Sequence, residues 1–470
     1  MKINKALLFA IIFITVLLPW SAQTAFAQTN PGGPTDPAEL EAFLDELISA
    51  QMEELHVPGV TVSVVKDGEV FFAKGYGYAD VEKGILVDPE TTMFRIGSAS
   101  KLFTWTAVMQ LAEQGKLDLD ADINTYLDFE IPATYPEPIT MKHLMSHTPG
   151  FEDSIFELLA PGSEQNVPLG EWLATHIPAR VRRPGEVTGY SNYGTAVAGY
   201  IVEILAGMPY EEYIRENILD PLGMIQTTAY QPLPEALTPD LATVYVFTDD
   251  AYQAHAFEIL TIVPAGSIST SAADVAKFML AHLQDGSYGD AQILEPATMQ
   301  QMHSTLFTND PRVDGVTYGF VEDSQNDLWI LWHAGSTPLA KTNLVLLPDQ
   351  NVGLFISGNS PGADTLRYAV PEAFIDHYYP SADAPAAQSL SDVDLSRFVG
   401  SYFPTRSSYT RMAKAIYILE SFDIGATGNG LLTFGLQQFT PIEPWFFKKS
   451  VGRNYWSSVR ILKGISPMPF

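Results

Sequence analysis

Apolar and polar positions alternate along this chain with two different periods. Thr35-Asp36-Pro37 offers an N-cap and a first-turn proline, and Leu40, Phe43, Leu44, Leu47 and Ile48 follow at helical spacing, so a helix is predicted there. Val60–Val65 and Val70–Ala73 read as strands joined by the hairpin turn Lys66-Asp67-Gly68-Glu69. From Ser98 to about Gln114 the period is helical again, with Leu102, Trp105, Val108, Met109, Leu111 and Ala112 on one face. Further helices are predicted over 195–206, 271–283 and Ala363–His377, and strand-like runs over 328–333 and 342–357, the last broken at Pro348-Asp349-Gln350-Asn351. Strands at both ends of the segment and helices between them predict an α/β (α+β) fold. One antiparallel sheet is assembled from both chain ends and flanked by helices, with a helical subdomain.

The chain divides by composition. Lys2 and Lys5 precede an apolar run, Ala6–Trp20, and Ala25-Phe26-Ala27 follows; residues 1–27 read as a secretory signal peptide cleaved after Ala27. The run is short for a spanning helix and Pro19 interrupts it, so no stable membrane span is expected after cleavage, and a secreted or periplasmic location is implied. Residues 28–380 form the main domain and 381–391, around Pro380-Ser381-Ala382-Asp383-Ala384-Pro385, a linker. Residues 392–470 are a small β-rich appendage with short runs at Leu431–Phe434 and Trp445–Phe447. The charge changes sign with it: residues 28–400 hold 16 Lys/Arg against 52 Asp/Glu, residues 401–470 hold 8 against 3.

The whole chain of 470 residues has a formal charge of −29, which argues against a nucleic-acid partner. It contains no Cys, so disulfides, thiolate catalysis and Cys-ligated metals are excluded. At 46% hydrophobic and 17% charged residues, it can bury a large core. Nothing in the sequence sets an oligomeric state.

A serine hydroxyl is a weak nucleophile until a base takes its proton, and a lysine three residues later on a helix shares its face. Ser98-Ala99-Ser100-Lys101 has that spacing where strand-like Met93–Ile96 passes through Gly97 into a helix. A second Ser-x-x-Lys, Ser63-Val64-Val65-Lys66, lies in a predicted strand, where odd spacing puts the two side chains on opposite faces. Tyr190-Ser191-Asn192 precedes a helix in a Gly/Ser-rich loop, and His333-Ala334-Gly335-Ser336 ends an apolar strand.

With these motifs in this order, the chain resembles the serine β-lactamase and penicillin-binding family, including class C β-lactamases, D-Ala-D-Ala carboxypeptidases and related esterases. The resemblance extends over roughly residues 40–380 and includes Phe94-Arg95-Ile96-Gly97-Ser98, His147-Thr148-Pro149-Gly150 and Gly266-Ser267-Ile268-Ser269-Thr270-Ser271. The tail beyond 390 more weakly resembles a lipocalin-like appendage of some members, though it is short for a closed barrel. The resemblance implies Ser98 as nucleophile, with Lys101 and Tyr190 sharing the proton work and either one serving as the base. It implies Asn192, His333, Gly335 and Ser336 as substrate-binding residues, the N–H groups of Ser98 and Ser336 forming the oxyanion hole.

Where many relatives carry Lys, His333 stands; with an ordinary value near 6.5 it is expected to be largely neutral at pH 7 and to gain charge below, a switchable anchor favouring neutral esters or amides. The expected substrate is a small molecule or short peptide: an ester, a β-lactam or a D-amino-acid peptide. The alternative is a penicillin-binding or sensor module that acylates without efficient turnover. No cofactor and no metal are implied.

Three other patterns are read as structural. Gly358-Asn359-Ser360-Pro361-Gly362 matches a nucleophile elbow, but the one downstream histidine, His377, lies in the same predicted helix. His143 and His147 have zinc spacing without the intervening glutamate and read as turn and packing residues. Trp329 and Trp332 read as core or cleft wall.

Overall fold

The structure, a computed structural model, describes residues 32–153 and 167–381 apart from position 312, then residue 396 and several stretches between 399 and 460. The signal segment 1–27 and linker residues 382–391 lie outside the described residues. Among the described residues no helix is long and apolar enough to cross a membrane.

Seven strands form the central antiparallel sheet: β1 (Gly59–Lys66), β2 (Glu69–Asp80), β3 (Ile85–Leu86), β4 (Val321–Gln325), β5 (Leu328–Ser336), β6 (Lys341–Leu347) and β7 (Val352–Gly358). Their order is β4-β5-β6-β7-β1-β2-β3, so β1 meets β7 and the two chain ends close into one sheet, as expected. At the β1–β2 hairpin Asp67 and Gly68 both have positive φ (50° and 91°), the geometry of a tight two-residue turn.

The principal helices are α1 (Pro37–Glu54), α2 (Lys101–Glu113), α3 (Asn192–Ala206), α4 (Ala272–Leu283) and α5 (Ala363–Tyr378). Asp36 caps α1, accepting from Ala38 N at 2.9 Å, with Pro37 in the first turn. One sheet face presents Val60, Val62, Val64, Leu354 and Ile356 to Leu40, Leu44 and Ile48 of α1 and Leu366, Val370 and Phe374 of α5. The alternating positions Val65, Leu344, Leu346 and Phe355 face the larger core with α2, α3 and α4, where Phe103 and Phe278 stack at 4.1 Å. The result is helix, sheet and helix in three layers.

Local differences from the sequence reading have local causes. β2 runs on to Asp80, past the apolar stretch, because β1 pairs with it as far as Gly77 and β3 pairs with Tyr78 and Asp80 beyond. The polar strand β4 (Val-Glu-Asp-Ser-Gln) has no apolar alternation; it is an edge strand, where charge is the norm. Helix α3 starts at Asn192, three residues earlier than 195, because Ser191 caps it by accepting from Gly194 N at 3.0 Å. In the C-terminal region, strands at Gly400–Tyr402, Phe422–Ala426, Leu432–Phe434, Gln437–Glu443, Phe446–Lys449 and Ser458–Arg460 make a second antiparallel sheet in chain order.

Candidate active site

The run into α2 is not helical from Ser98, as expected, but begins with a 3₁₀ turn over Gly97–Ser100. A three-residue repeat stacks i directly over i+3, so it aims Lys101 at Ser98 more closely than an α-turn does. Gly97 has φ +50°, and a Cβ there would stand 2.7 Å from Ser336 N; a Cβ on Gly335 would collide with the Ile96 carbonyl. Both glycines let the end of β5 run against the Gly97–Ser100 turn, bringing the backbone of Ser336 beside Gly97 and Ser98.

Lys101 is fully buried; its Nζ lies 3.0 Å from Ser98 Oγ and donates to Asn192 Oδ1 (2.8 Å) and the Ala265 carbonyl (2.6 Å), so as a neutral amine it has its lone pair left for the Ser98 hydroxyl. The Ala265 segment is held there by neighbouring bonds, Ile268 N to Ser100 Oγ (3.0 Å) and Thr104 Oγ1 to the Pro264 carbonyl (2.7 Å). All three oxygens are neutral. Burial, and then the nearby Arg406 guanidinium, hold the Lys101 amine well below its ordinary range, with Asp153 pulling the other way.

Tyr190 is half-buried and its phenol lies in hydrogen-bonding reach of the Ser98 hydroxyl. Burial pushes it up to about 12, against the lowering effect of Ser98 and Arg406. Lys101 Nζ stands 5.0 Å from the centre of the Tyr190 ring. His147 packs on that ring at 4.3 Å, and its Nδ1 accepts from Ser191 N at 3.3 Å, so it fixes the Tyr190-Ser191-Asn192 loop. Burial holds His147 far below its ordinary value.

His333, on β5, is buried, and its Nδ1 donates to the Ala334 carbonyl at 2.8 Å. Burial, the leading cause, pushes it down to about 3 despite that bond, below the value near 6.5 expected from the sequence, so it is neutral at pH 7 as expected there. Ser336 is exposed at the strand end and accepts from Lys341 Nζ at 2.7 Å; Lys341 also donates to the Thr337 carbonyl at 2.6 Å. The structure thus gathers Ser98, Lys101, Tyr190, Asn192, His333, Gly335 and Ser336 about one locus.

The decoys fall elsewhere. In β1, Ser63 Oγ donates to the Ala272 carbonyl at 2.9 Å, while Lys66 pairs with Asp67. Ser360 is buried in the turn between β7 and α5, and His377 faces Glu39 of α1 at 3.2 Å. His143 Nδ1 accepts from Thr140 N at 3.1 Å, closing the cap of the helix Met141–Met145. Sequence reading missed three residues of the site. Lys341 was visible as the first residue of β6 opposite Ser336, a register known only once the strands pair. Asp153 and Arg406 left no local signal, because they meet across the fold: Arg406 Nε donates to Asp153 Oδ2 at 2.5 Å.

Comparison with known proteins gives a consistent picture. A model of the Beta-lactamase family matches residues 44–373. Protein flp of Staphylococcus aureus (strain N315) is 26% identical over 321 residues, covering 67% of this chain and 62% of that protein, so the chain spans less than two thirds of that relative's length. Among solved structures, the octameric penicillin-binding protein homologue from Pyrococcus abyssi aligns with a TM-score of 0.63 at 24% identity, over 91% of this chain and 97% of that one. A class C beta-lactamase aligns with a TM-score of 0.61 at 20% identity, over 75% of this chain and 98% of that one. These structural likenesses are likenesses of fold.

Proposed function

The chain belongs to the Beta-lactamase family, and on that premise we propose that it is an exported serine hydrolase working through an acyl-enzyme on Ser98. The observation that carries this reading is a fully buried lysine, surrounded by neutral acceptors, 3.0 Å from the serine oxygen. An ordinary lysine is neutral to about one part in 10³ near pH 7.4, a cost of about 4 kcal/mol that burial removes from the chemical step and charges to folding. With Tyr190 pushed up to about 12 the phenol stays protonated, so the neutral amine of Lys101 is the available base and the phenol relays a proton that Lys101 supplies.

In acylation, Ser98 Oγ bonds to the substrate carbonyl carbon as its proton passes to Lys101 Nζ. The tetrahedral oxyanion lies between the N–H groups of Ser98 and Ser336. As the bond to the leaving group breaks, that group takes a proton from Tyr190, which Lys101 resupplies. Water then attacks the ester on Ser98, giving its proton back along the same path, and Ser98 Oγ leaves reprotonated. Asn192 holds Lys101 and faces the substrate amide; Gly335 and His333 shape the β5 wall. Substrates are an ester, a β-lactam or a D-amino-acid peptide, and the neutral His333 supports placing the ester first. Residues 28–380 form the catalytic unit, 381–391 the linker and 392–470 the appendage, and the pattern in residues 1–27 supports export.

The test is turnover of short-chain p-nitrophenyl esters beside nitrocefin, with mass analysis of the Ser98 peptide. An acyl adduct on Ser98 and a loss of roughly 10³-fold or more in kcat/KM for Ser98→Ala are expected. Full activity in Ser98→Ala sinks the reading. A secreted chain whose N-terminus remains Met1 sinks the signal-cleavage part alone.

A further inference from the structure

One cation of the site comes from neither the Ser98 turn nor the β5 strand end. Residues 405–410 of the C-terminal region lie on the turn 150–153 and on Arg182. Asp153 N donates to the Ser407 carbonyl at 3.1 Å, and the Glu152 carboxylate accepts from Tyr409 N (2.7 Å), Thr410 N (2.8 Å) and Thr410 Oγ1 (2.5 Å). Arg182 donates to the Thr405 carbonyl at 2.9 Å and to the Tyr409 hydroxyl. These bonds fasten the segment without the Arg406 side chain, which is instead directed into the site. Its guanidinium carbon stands 4.8 Å from the Tyr190 ring centre while its Nε holds Asp153. The Tyr190 ring is therefore approached by two basic side chains, the Lys101 amine at 5.0 Å and the Arg406 guanidinium at 4.8 Å.

We propose that Arg406 is a positioning residue of the active site, supplied by the C-terminal region, whose fixed charge keeps Lys101 in its neutral, proton-accepting form. The proposal rests on the acyl-enzyme reading and adds a part of the chain to it. A guanidinium stays charged at every working pH, whereas an amine beside it loses its proton more readily. The other groups facing Lys101 and Tyr190 do not substitute for it. His147 and His333 are held neutral by burial, the Tyr368 phenol on α5 is uncharged, and Asp153 acts in the opposite sense. Burial is the larger cause at Lys101, and Arg406 adds to it where Asp153 opposes it. Replacing the guanidinium by a neutral group therefore leaves the amine facing only the carboxylate, and its proton is held more tightly.

The experiment measures kcat/KM for the neutral ester p-nitrophenyl acetate, and the rate of Ser98 labelling by a fluorophosphonate probe, against pH in the full chain. In Arg406→Gln the acid limb moves up by about one pH unit. Below that limb the rate falls about tenfold, and on the alkaline plateau it is nearly unchanged. Arg406→Lys returns the limb most of the way. A limb that coincides with that of the native protein overturns the proposal, as does a loss of the same factor at every pH. An effect confined to the KM of anionic nitrocefin also overturns it, because Arg406 would then bind substrate carboxylate. Ser98→Ala in the same assay keeps the two readings apart: its loss of labelling upholds the acyl-enzyme whatever Arg406 does.

Discussion

The chain contains the same four-residue pattern twice, and the proposed function uses only one copy. In Ser63-Val64-Val65-Lys66 the residues alternate along β1: the serine donates to the Ala272 carbonyl and the lysine makes an ion pair with Asp67 at the hairpin. In Ser98-Ala99-Ser100-Lys101 a 3₁₀ turn stacks the two side chains, and the lysine is buried among neutral oxygens. Burial disfavours the charged form of Lys101, whereas Lys66 keeps a carboxylate beside it. The difference lies in the backbone and the acceptors around it, since the letters are alike.

The sharpest way to break the comparison is to remove both copies and measure activity. Ser98→Ala and Lys101→Met are each expected to lower kcat/KM by roughly 10³-fold or more, because residues that act as a unit fail together. Ser63→Ala and Lys66→Met are expected to change it less than about twofold, the usual result away from a reacting group. Comparable losses from both pairs would end the distinction. A smaller but still large effect is expected at the contact that positions the nucleophile turn. Gly335→Ala puts a methyl group into the Ile96 carbonyl, and a displacement of about 1 Å at a reacting centre costs about 10²-fold. Gly335 is not among the positive-φ glycines, so the cost there is the collision itself; Gly84→Ala, whose added methyl meets nothing within 4 Å, is expected to leave activity nearly unchanged.

The elements that a period can reveal were legible in the sequence, and so was the order of the site motifs. Asp36-Pro37, the Asp67-Gly68 turn, α2, α4 and β5 to β7 all declare themselves through local spacing or turn chemistry. The 3₁₀ start of α2 was not legible, because its residues Gly-Ser-Ala-Ser suit either helix, and the choice is made by Ile268 and β5 packing on the turn. Nor was the polar edge strand β4, whose pairing comes from β5. The environment of the site was the least legible part. His333 looks like a group titrating near 6.5 until β5 buries it, and Arg406 has no sequence neighbour in the site at all. Distances along the chain say nothing about such meetings.

Lys101 also makes a prediction about stability. In the unfolded chain its amine has its ordinary value of 10.5, and in the folded chain a value well below that. Between the two, the unfolded state binds a proton that the folded state does not, so stability rises with pH across this window and is flat below the folded value. Against Lys101→Met, which has nothing to titrate there, the native chain should gain up to about 1.4 kcal/mol per pH unit as pH rises toward 10.5. Urea midpoints of the two proteins at several alkaline pH values check it. Parallel midpoints would mean that Lys101 stays protonated in the folded state, and Tyr190 would then have to supply the base.

The smallest effect is expected where the sequence suggested a switch. A histidine pushed down to about 3 has lost its charge long before neutral pH, and its Nδ1 proton is already given to the Ala334 carbonyl. It is therefore not expected to become a carboxylate anchor as pH falls through 6.5. The ratio of kcat/KM for anionic nitrocefin to that for neutral p-nitrophenyl acetate is expected to stay within about twofold from about pH 5 to about pH 8. His333→Gln should leave that flat ratio flat. A ratio that climbs tenfold below pH 6.5 in the native protein, and stays level in His333→Gln, would show that substrate wets the β5 wall enough to restore the ordinary titration of the ring.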